Sequence, residues 1–124
     1  MHLDSHVVVW LYAGTTDAFP APARRRLEGE PLTVSPMVLL ELDLLHEIGR
    51  TASGSGRVLE ELRRTLGLEV STTPFPTVAA AASDLVWTRD PFDRLICAHA
   101  VAERQPLLTK DRLIRKHLDL ATWD

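Results

Sequence analysis

Four acidic residues stand where an alternating chain of strands and helices is expected to return to one edge of a sheet. They are Asp4 in HLDSHVVVW, Glu41 in SPMVLLELDLLHEIGR, Asp93 in RDPFDRLICAHA and Asp111 in LLTKD. Carboxylates that converge in a folded protein repel one another and raise one another's pKa unless a cation neutralises them. A hard divalent metal ion completes such a set. The pattern therefore predicts metal-assisted phosphodiester chemistry.

Local signals predict the elements that position these acids. A buried strand is expected over Met1–Asp4, with Ser5 capping a helix that reaches Tyr12. Ser35 followed by Pro36 predicts a helix that runs to Ile48, and Asp90 followed by Pro91 predicts one that reaches about Arg104. Further helices are predicted over residues 22–28, 58–66, 78–86 and 113–117, and further strands over 32–34, 68–70, 107–109 and 120–122.

This alternation of short apolar strands with helices predicts a mainly parallel sheet covered by helices on both faces. Ligands of such sheets bind beyond the carboxyl ends of the strands. Asp4 ends the first strand and Asp111 follows the LLT strand, so both are expected at that edge.

Composition narrows the class of protein. The 124 residues, 45% of them hydrophobic, are enough for one domain over residues 1–124 and too few for two. The net charge of −3 provides no global field that attracts nucleic acid, so any nucleic-acid binding requires a local basic patch. One cysteine, no signal sequence and no apolar run long enough to span a bilayer predict a soluble cytoplasmic protein.

The acids of the helix that begins at Pro36 fall on two different faces. On a helical projection Glu41 falls in the middle of an apolar arc that consists of Met37, Val38, Leu44, Leu45 and Ile48. An unpaired ionised acid there costs several kcal/mol, so Glu41 is expected to meet a cation or to be protonated. Asp43 and Glu47 fall on the opposite arc, where a solvated face is the ordinary expectation.

Asp93 is the third residue of its predicted helix, where an acid also complements the helix dipole. Asp90 is well explained as the cap of this helix. A purely structural role explains Asp93 less well, because Ile96, Cys97 and Ala100 share its face and should pack inward. Taken alone, Asp4 is equally well explained as a strand-end residue, and Asp111 as a turn or cap acid before Leu113. The four acids together support a functional site more strongly than any one of them does alone.

Taken in order, LDSHVVVWL, VSPMVLLEL with LHEIGR, RDPFDRLICAHA and PLLTKD resemble the PIN domain family, and more narrowly its VapC-like toxins. The resemblance spans nearly the whole chain and implies a three-layer α/β/α sandwich with Mg²⁺- or Mn²⁺-dependent ribonuclease activity. It assigns Asp4, Glu41, Asp93 and Asp111 as the acidic cluster. Ser5 replaces the commoner Thr after the first acid and keeps a hydroxyl.

The same resemblance implies a homodimer inhibited by a small antitoxin protein. Leu39, on the otherwise polar side of its helix, is consistent with such a covered surface. RNA contacts are expected from Lys110 and Arg112, which flank Asp111, while the Thr109 hydroxyl is a candidate donor to phosphate or to a metal-bound water.

Two other functions fit parts of the pattern. One is a catalytically silent binding module on the same fold, which only an assay with metal and RNA distinguishes from the enzyme. A phosphoacceptor signalling domain requires an aspartate at the end of the middle strand, and LEVST, read as that strand, ends without one.

Overall fold

The computed structural model describes all 124 residues, and its five strands form one parallel sheet. The strands are β1 (His2–Leu3), β2 (Thr33–Val34), β3 (Glu69–Val70), β4 (Leu107–Leu108) and β5 (Ala121–Thr122). Their order across the sheet is β3-β2-β1-β4-β5, and every pairing is parallel. β1 is therefore the central strand, with β4 as its neighbour on one side.

Seven α-helices connect and cover these strands. They are α1 (Ser5–Ala13), α2 (Ala21–Gly29), α3 (Pro36–Glu47), α4 (Ser55–Leu66), α5 (Phe75–Ala82), α6 (Pro91–Glu103) and α7 (Arg112–His117). A short 3₁₀ helix at Thr16–Ala18 is the one element that the sequence patterns did not predict. The predicted three-layer α/β/α sandwich is confirmed.

Caps set the beginnings of the helices that carry the acids. The Ser35 hydroxyl accepts a hydrogen bond from the Met37 amide at 3.1 Å, and Pro36 occupies the first turn. The prediction for the first helix was wrong by one residue, since Asp4 rather than Ser5 is the cap. Asp4 Oδ1 accepts from the Ser5 amide at 2.8 Å, so the acid at the end of β1 also starts α1.

The core lies where the strands meet the inner faces of the helices. Leu3, Val34, Leu107 and Leu108 have no exposed surface, and each buried aliphatic side chain contributes roughly 1.5–3 kcal/mol to folding. Cys97 is equally buried within α6.

The apolar arc predicted for α3 was partly wrong. Val38 and Leu42 face the core, whereas Leu44 and Ile48 are 39% and 67% exposed. Apolar residues lie on nearly every side of this helix, so its periodicity does not select one face. Glu41 consequently lies at the edge of the buried face and is half-buried.

The position of β3 also corrects the comparison with phosphoacceptor domains. LEVST contains β3, which is an edge strand, while the central strand β1 is directly followed by Asp4. An aspartate does stand where that class of domain would need one. The distinction between the two classes therefore depends on the other acids that accompany Asp4.

No helix is long and apolar enough to cross a membrane.

Candidate active site

All four predicted acids line a single cleft at the carboxyl edge of the sheet. The cleft has a volume of about 390 Å³. Its lining includes Asp4 from the end of β1, Glu41 from α3, Asp93 from the first turn of α6 and Asp111 from the end of β4. β1 and β4 are neighbours in the sheet, which brings Asp4 and Asp111 to the same edge. The helices α3 and α6 add Glu41 and Asp93 to the same cleft.

Asp4 is the most tightly held of the four. It is 4% exposed, and its Oδ2 accepts a 2.6 Å hydrogen bond from the Thr109 hydroxyl. Thr109 Oγ1 in turn accepts from the Asp111 amide at 3.1 Å. One buried threonine therefore ties the first acid to the backbone of the last.

Asp93 is held quite differently, because no protein donor is hydrogen-bonded to its carboxylate. Burial raises the pKa of Asp93 to about 7, and the charges of Asp90, Asp4, Asp111 and Glu41 contribute to this rise in that order of importance. An acid without donors among other acids binds a proton or a cation near neutral pH.

Glu41 is subject to the same effect in a milder form. Burial raises the pKa of Glu41, the nearby Ser5 hydroxyl opposes this rise, and Asp4 and Asp90 reinforce it. Ser5 Oγ is buried in the cleft wall and makes no hydrogen bond of ordinary geometry. A buried hydroxyl without a partner beside acids is suited to a bound water or ligand.

Asp111 combines two roles. Its Oδ1 caps α7 by accepting from the Leu113 and Ile114 amides at 2.8 and 3.0 Å. No protein donor is bonded to Oδ2, so one oxygen remains for the cleft. The cap that the sequence suggested and a role in the cleft are therefore compatible.

The acids also affect the thiol beneath them. Burial, together with Asp4, Asp93 and Asp111, raises the pKa of the Cys97 thiol to about 12. A thiol of this kind is a poor nucleophile.

Thr109 was predicted to contact RNA, and its position contradicts this. It has no exposed surface, and its hydroxyl donates to Asp4 rather than to solvent. Lys110 and Arg112 are both exposed beside the cleft, as an RNA contact requires. The Lys110 ammonium lies 5.6 Å from the centre of the Trp10 ring, which itself lines the cleft.

Asp43 was expected on a solvated face; it is half-exposed there, and its carboxylate also has a structural role. Its carboxylate accepts from the backbone amide of Ser55 at 2.7 Å and from its hydroxyl at 2.9 Å, so it caps α4 from the neighbouring helix. These bonds lower the pKa of Asp43. It does not line the cleft.

Arg50 and His6 are residues of the cleft that the sequence did not single out. Arg50 follows the end of α3. Its place in a loop after Gly49 was the only available signal, because loops on a rigid scaffold commonly carry functional residues.

A second, apolar cavity of about 310 Å³ adjoins the cleft. It shares Val9, Arg50 and Thr51 with the acidic cleft and extends between α1, α3 and α4, with Tyr12 and Leu42 in its wall. The Tyr12 hydroxyl lies 3.2 Å from Ser53 Oγ across this cavity. An apolar side chain bound here would lie beside the acids.

Comparison with known proteins matches residues 1–117 to the PIN domain. A relative named Ribonuclease VapC22, from Mycobacterium tuberculosis, is 32% identical over 120 residues, which are 93% of this chain and 89% of the relative. The fold is similar to a solved chain of VapBC2 from Rickettsia felis, bound to a DNA fragment from their promoter. That likeness has a TM-score of 0.66 at 20% identity and covers 99% of this chain and 98% of the other. With the family match over most of its length and a relative of this identity, the chain belongs to the PIN domain family.

Proposed function

We propose that this protein is the ribonuclease toxin of a bacterial type II toxin–antitoxin pair and cleaves RNA with Mg²⁺ or Mn²⁺. The observation that carries the proposal is the cleft that four carboxylates from separate elements line, with the pKa of Asp93 raised to about 7. The name of the 32% identical relative, a ribonuclease, supports the same reaction.

The donor set fits a hard divalent cation. Carboxylate oxygens are the ligands that Mg²⁺ and Mn²⁺ prefer, and no Lys or Arg side chain forms an ion pair with these four acids. Asp4, Glu41, Asp93 and Asp111 would hold the ion, although no three of the protein's acidic, histidine or cysteine side chains already form a group arranged to hold one. When bound, the cation lowers the pKa of a water and stabilises charge on the phosphate.

The protein's own residues orient the reactants. Thr109 holds Asp4 by a 2.6 Å bond, so this carboxylate keeps one orientation. The exposed Lys110 and Arg112, and Arg50 in the cleft wall, would bind the RNA phosphates. Because the acids repel phosphate when no cation is present, RNA binding depends on these basic residues and on the metal together.

The test is cleavage of structured RNA by the purified protein with Mg²⁺ or Mn²⁺ and with excess EDTA. α3 offers a matched pair of variants, since Glu41 lines the cleft and Glu47 is exposed with no bonded partner. Glu41→Gln, Asp4→Asn and Asp93→Asn should abolish cleavage, whereas Glu47→Gln should cleave as the wild type does. Cleavage that persists in EDTA, or equal loss in Glu41→Gln and Glu47→Gln, would contradict the proposal.

The same assay separates the enzyme from a silent binding module on this fold. A silent module would bind Mn²⁺ and RNA and leave the RNA intact at every metal concentration. The acid variants would then weaken metal binding without any change in the RNA.

We also propose a homodimer and inhibition by a small antitoxin. Leu39 does not support the dimer as expected, because it is half-buried and packs on the core. The better candidate is an exposed apolar stripe one residue further on, formed by Leu40, Leu44 and Ile48 at 48%, 39% and 67% exposure. A stable monomer at high micromolar concentration in light scattering would contradict the dimer.

The apolar cavity beside the cleft suits an inhibitor. An antitoxin that placed an apolar side chain against Tyr12 and Leu42 would bring the adjoining part of its chain to the acids, where a basic residue is complementary. Coexpression with the protein encoded next to this gene, followed by pull-down and the RNA assay, tests the partner.

A further inference from the structure

His6 is a cleft residue to which neither the cation nor the RNA assigns a role. It is the second residue of α1, two positions after Asp4, and it is half-buried in the cleft wall. Its ring packs edge-on against Trp10, with ring centres 5.0 Å apart, and lies 6.3 Å from the ring of Trp123. These aromatic neighbours restrict the orientation of the imidazole.

The hydrogen bonds of His6 define which nitrogen carries the proton. The backbone amide of Lys110 donates to His6 Nε2 at 2.9 Å. A backbone amide only donates, so Nε2 must supply a lone pair and the proton of the neutral ring is on Nδ1. Nδ1 lies 3.5 Å from Asp4 Oδ2, a polar contact longer than the hydrogen bond that this oxygen accepts from Thr109.

The ring thereby spans two neighbouring strand ends. Asp4 directly follows β1, and Lys110 lies between the end of β4 and Asp111. One rigid ring therefore contacts both strand ends, next to the two acids that follow them. Residues that hydrogen-bond to metal ligands orient those ligands and are needed for full affinity.

We propose that His6 is a positioning residue, whose Nδ1–H holds the Asp4 carboxylate while its Nε2 fixes the strand end that carries Asp111. The inference rests on the proposed divalent-cation site and adds a residue to it. A role for His6 as a general base is disfavoured by the same geometry, because the Nε2 lone pair is already bonded to the Lys110 amide.

Two amide side chains divide the contacts of His6 between them. In Asn, the amide nitrogen is as many bonds from the backbone as Nδ1 of histidine, so His6→Asn keeps a donor for Asp4 and loses the acceptor for Lys110. In Gln, the amide oxygen is as many bonds away as Nε2, so His6→Gln keeps the acceptor and loses the donor. His6→Phe keeps the ring packing on Trp10 and loses both polar contacts.

The experiment measures Mn²⁺ affinity by calorimetry for the wild type and the three variants, together with the thermal unfolding of each metal-free protein. His6→Gln and His6→Phe should bind Mn²⁺ about 10- to 100-fold more weakly than the wild type, and His6→Asn should recover most of that loss. Wild-type affinity in His6→Phe, or an affinity in His6→Gln equal to or above that in His6→Asn, would reduce His6 to a packing residue.

A readout without metal keeps this inference separate from the proposed function. Nitrogen-15 NMR of the metal-free protein should show His6 with its proton on Nδ1, and a proton on Nε2 would overturn the positioning role whatever the metal does. If the wild type binds no Mn²⁺ at all, both the cation site and the positioning role fail. If it binds Mn²⁺ and the variants do not differ, only the role of His6 fails.

Discussion

The Thr109 hydroxyl donates a 2.6 Å hydrogen bond to Asp4 Oδ2, although 105 positions separate the two residues in the chain. The bond is fully buried and joins the ends of β1 and β4, which are adjacent in the sheet. It shows how the sheet converts two ordinary strand ends into parts of one cleft.

Loss of this bond should destabilise the protein. Thr109→Val keeps the shape of the side chain but removes the hydroxyl that bonds both Asp4 Oδ2 and the Asp111 amide, and a lost hydrogen bond to a charged group costs about 1.5–3 kcal/mol. Urea denaturation of the metal-free protein measures the effect. Thr109→Ser, which retains the hydroxyl, serves as the control and should lie close to the wild type.

The stability of the metal-free protein should depend on pH through Asp93. The pKa of Asp93 is about 7 in the folded protein and 3.8 in an ordinary environment. Between these values the folded state keeps a proton that the unfolded state has lost, so the contribution of Asp93 to the free energy of unfolding falls as pH rises. Mn²⁺ should reverse the trend by replacing the proton.

Asp93→Asn provides the comparison for that pH dependence. Other groups titrate in the same range, so the informative quantity is the difference in unfolding free energy between variant and wild type in EDTA. The difference should grow in favour of the variant from about pH 4 to about pH 7. A difference that is constant across this range would mean that Asp93 ionises normally.

Asp43 should matter for stability and not for chemistry. Asp43→Ala removes both bonds to Ser55 at the start of α4, so the melting temperature should fall by a few degrees. Cleavage per folded molecule should be unchanged, because Asp43 does not line the cleft. Loss of cleavage in a folded Asp43→Ala protein would extend the catalytic site along α3.

RNA affinity should depend on Lys110 and Arg112. Replacing both with Ala should weaken RNA binding and reduce the slope of log affinity against log salt by about 1 for each phosphate that is no longer neutralised. The matched control is Arg63→Ala with Arg64→Ala on α4, where the two side chains already lie 3.8 Å from Glu69 and 2.8 Å from Glu61. A larger loss of affinity in the control would place the RNA path elsewhere.

Much of the architecture was predictable because its signals are local. Ser35 with Pro36, and Asp90 with Pro91, begin helices through bonds to amides two or three residues away. Alternating short apolar strands and helices indicated a parallel sheet, and the positions of the four acids relative to these elements indicated one shared edge. These features depend on neighbours in the chain, which the sequence displays directly.

Contacts between residues that are far apart in the chain could not be predicted in this way. The sequence alone determined which acids end strands or begin helices, but strand pairing decided that β1, and not the strand within LEVST, is central. The Asp43 cap on Ser55 and the bond from Lys110 to His6 join residues 12 and 104 positions apart. Only the tertiary structure decided such partners, because hydrophobic periodicity indicates which face of an element is buried and carries no information about which element it meets.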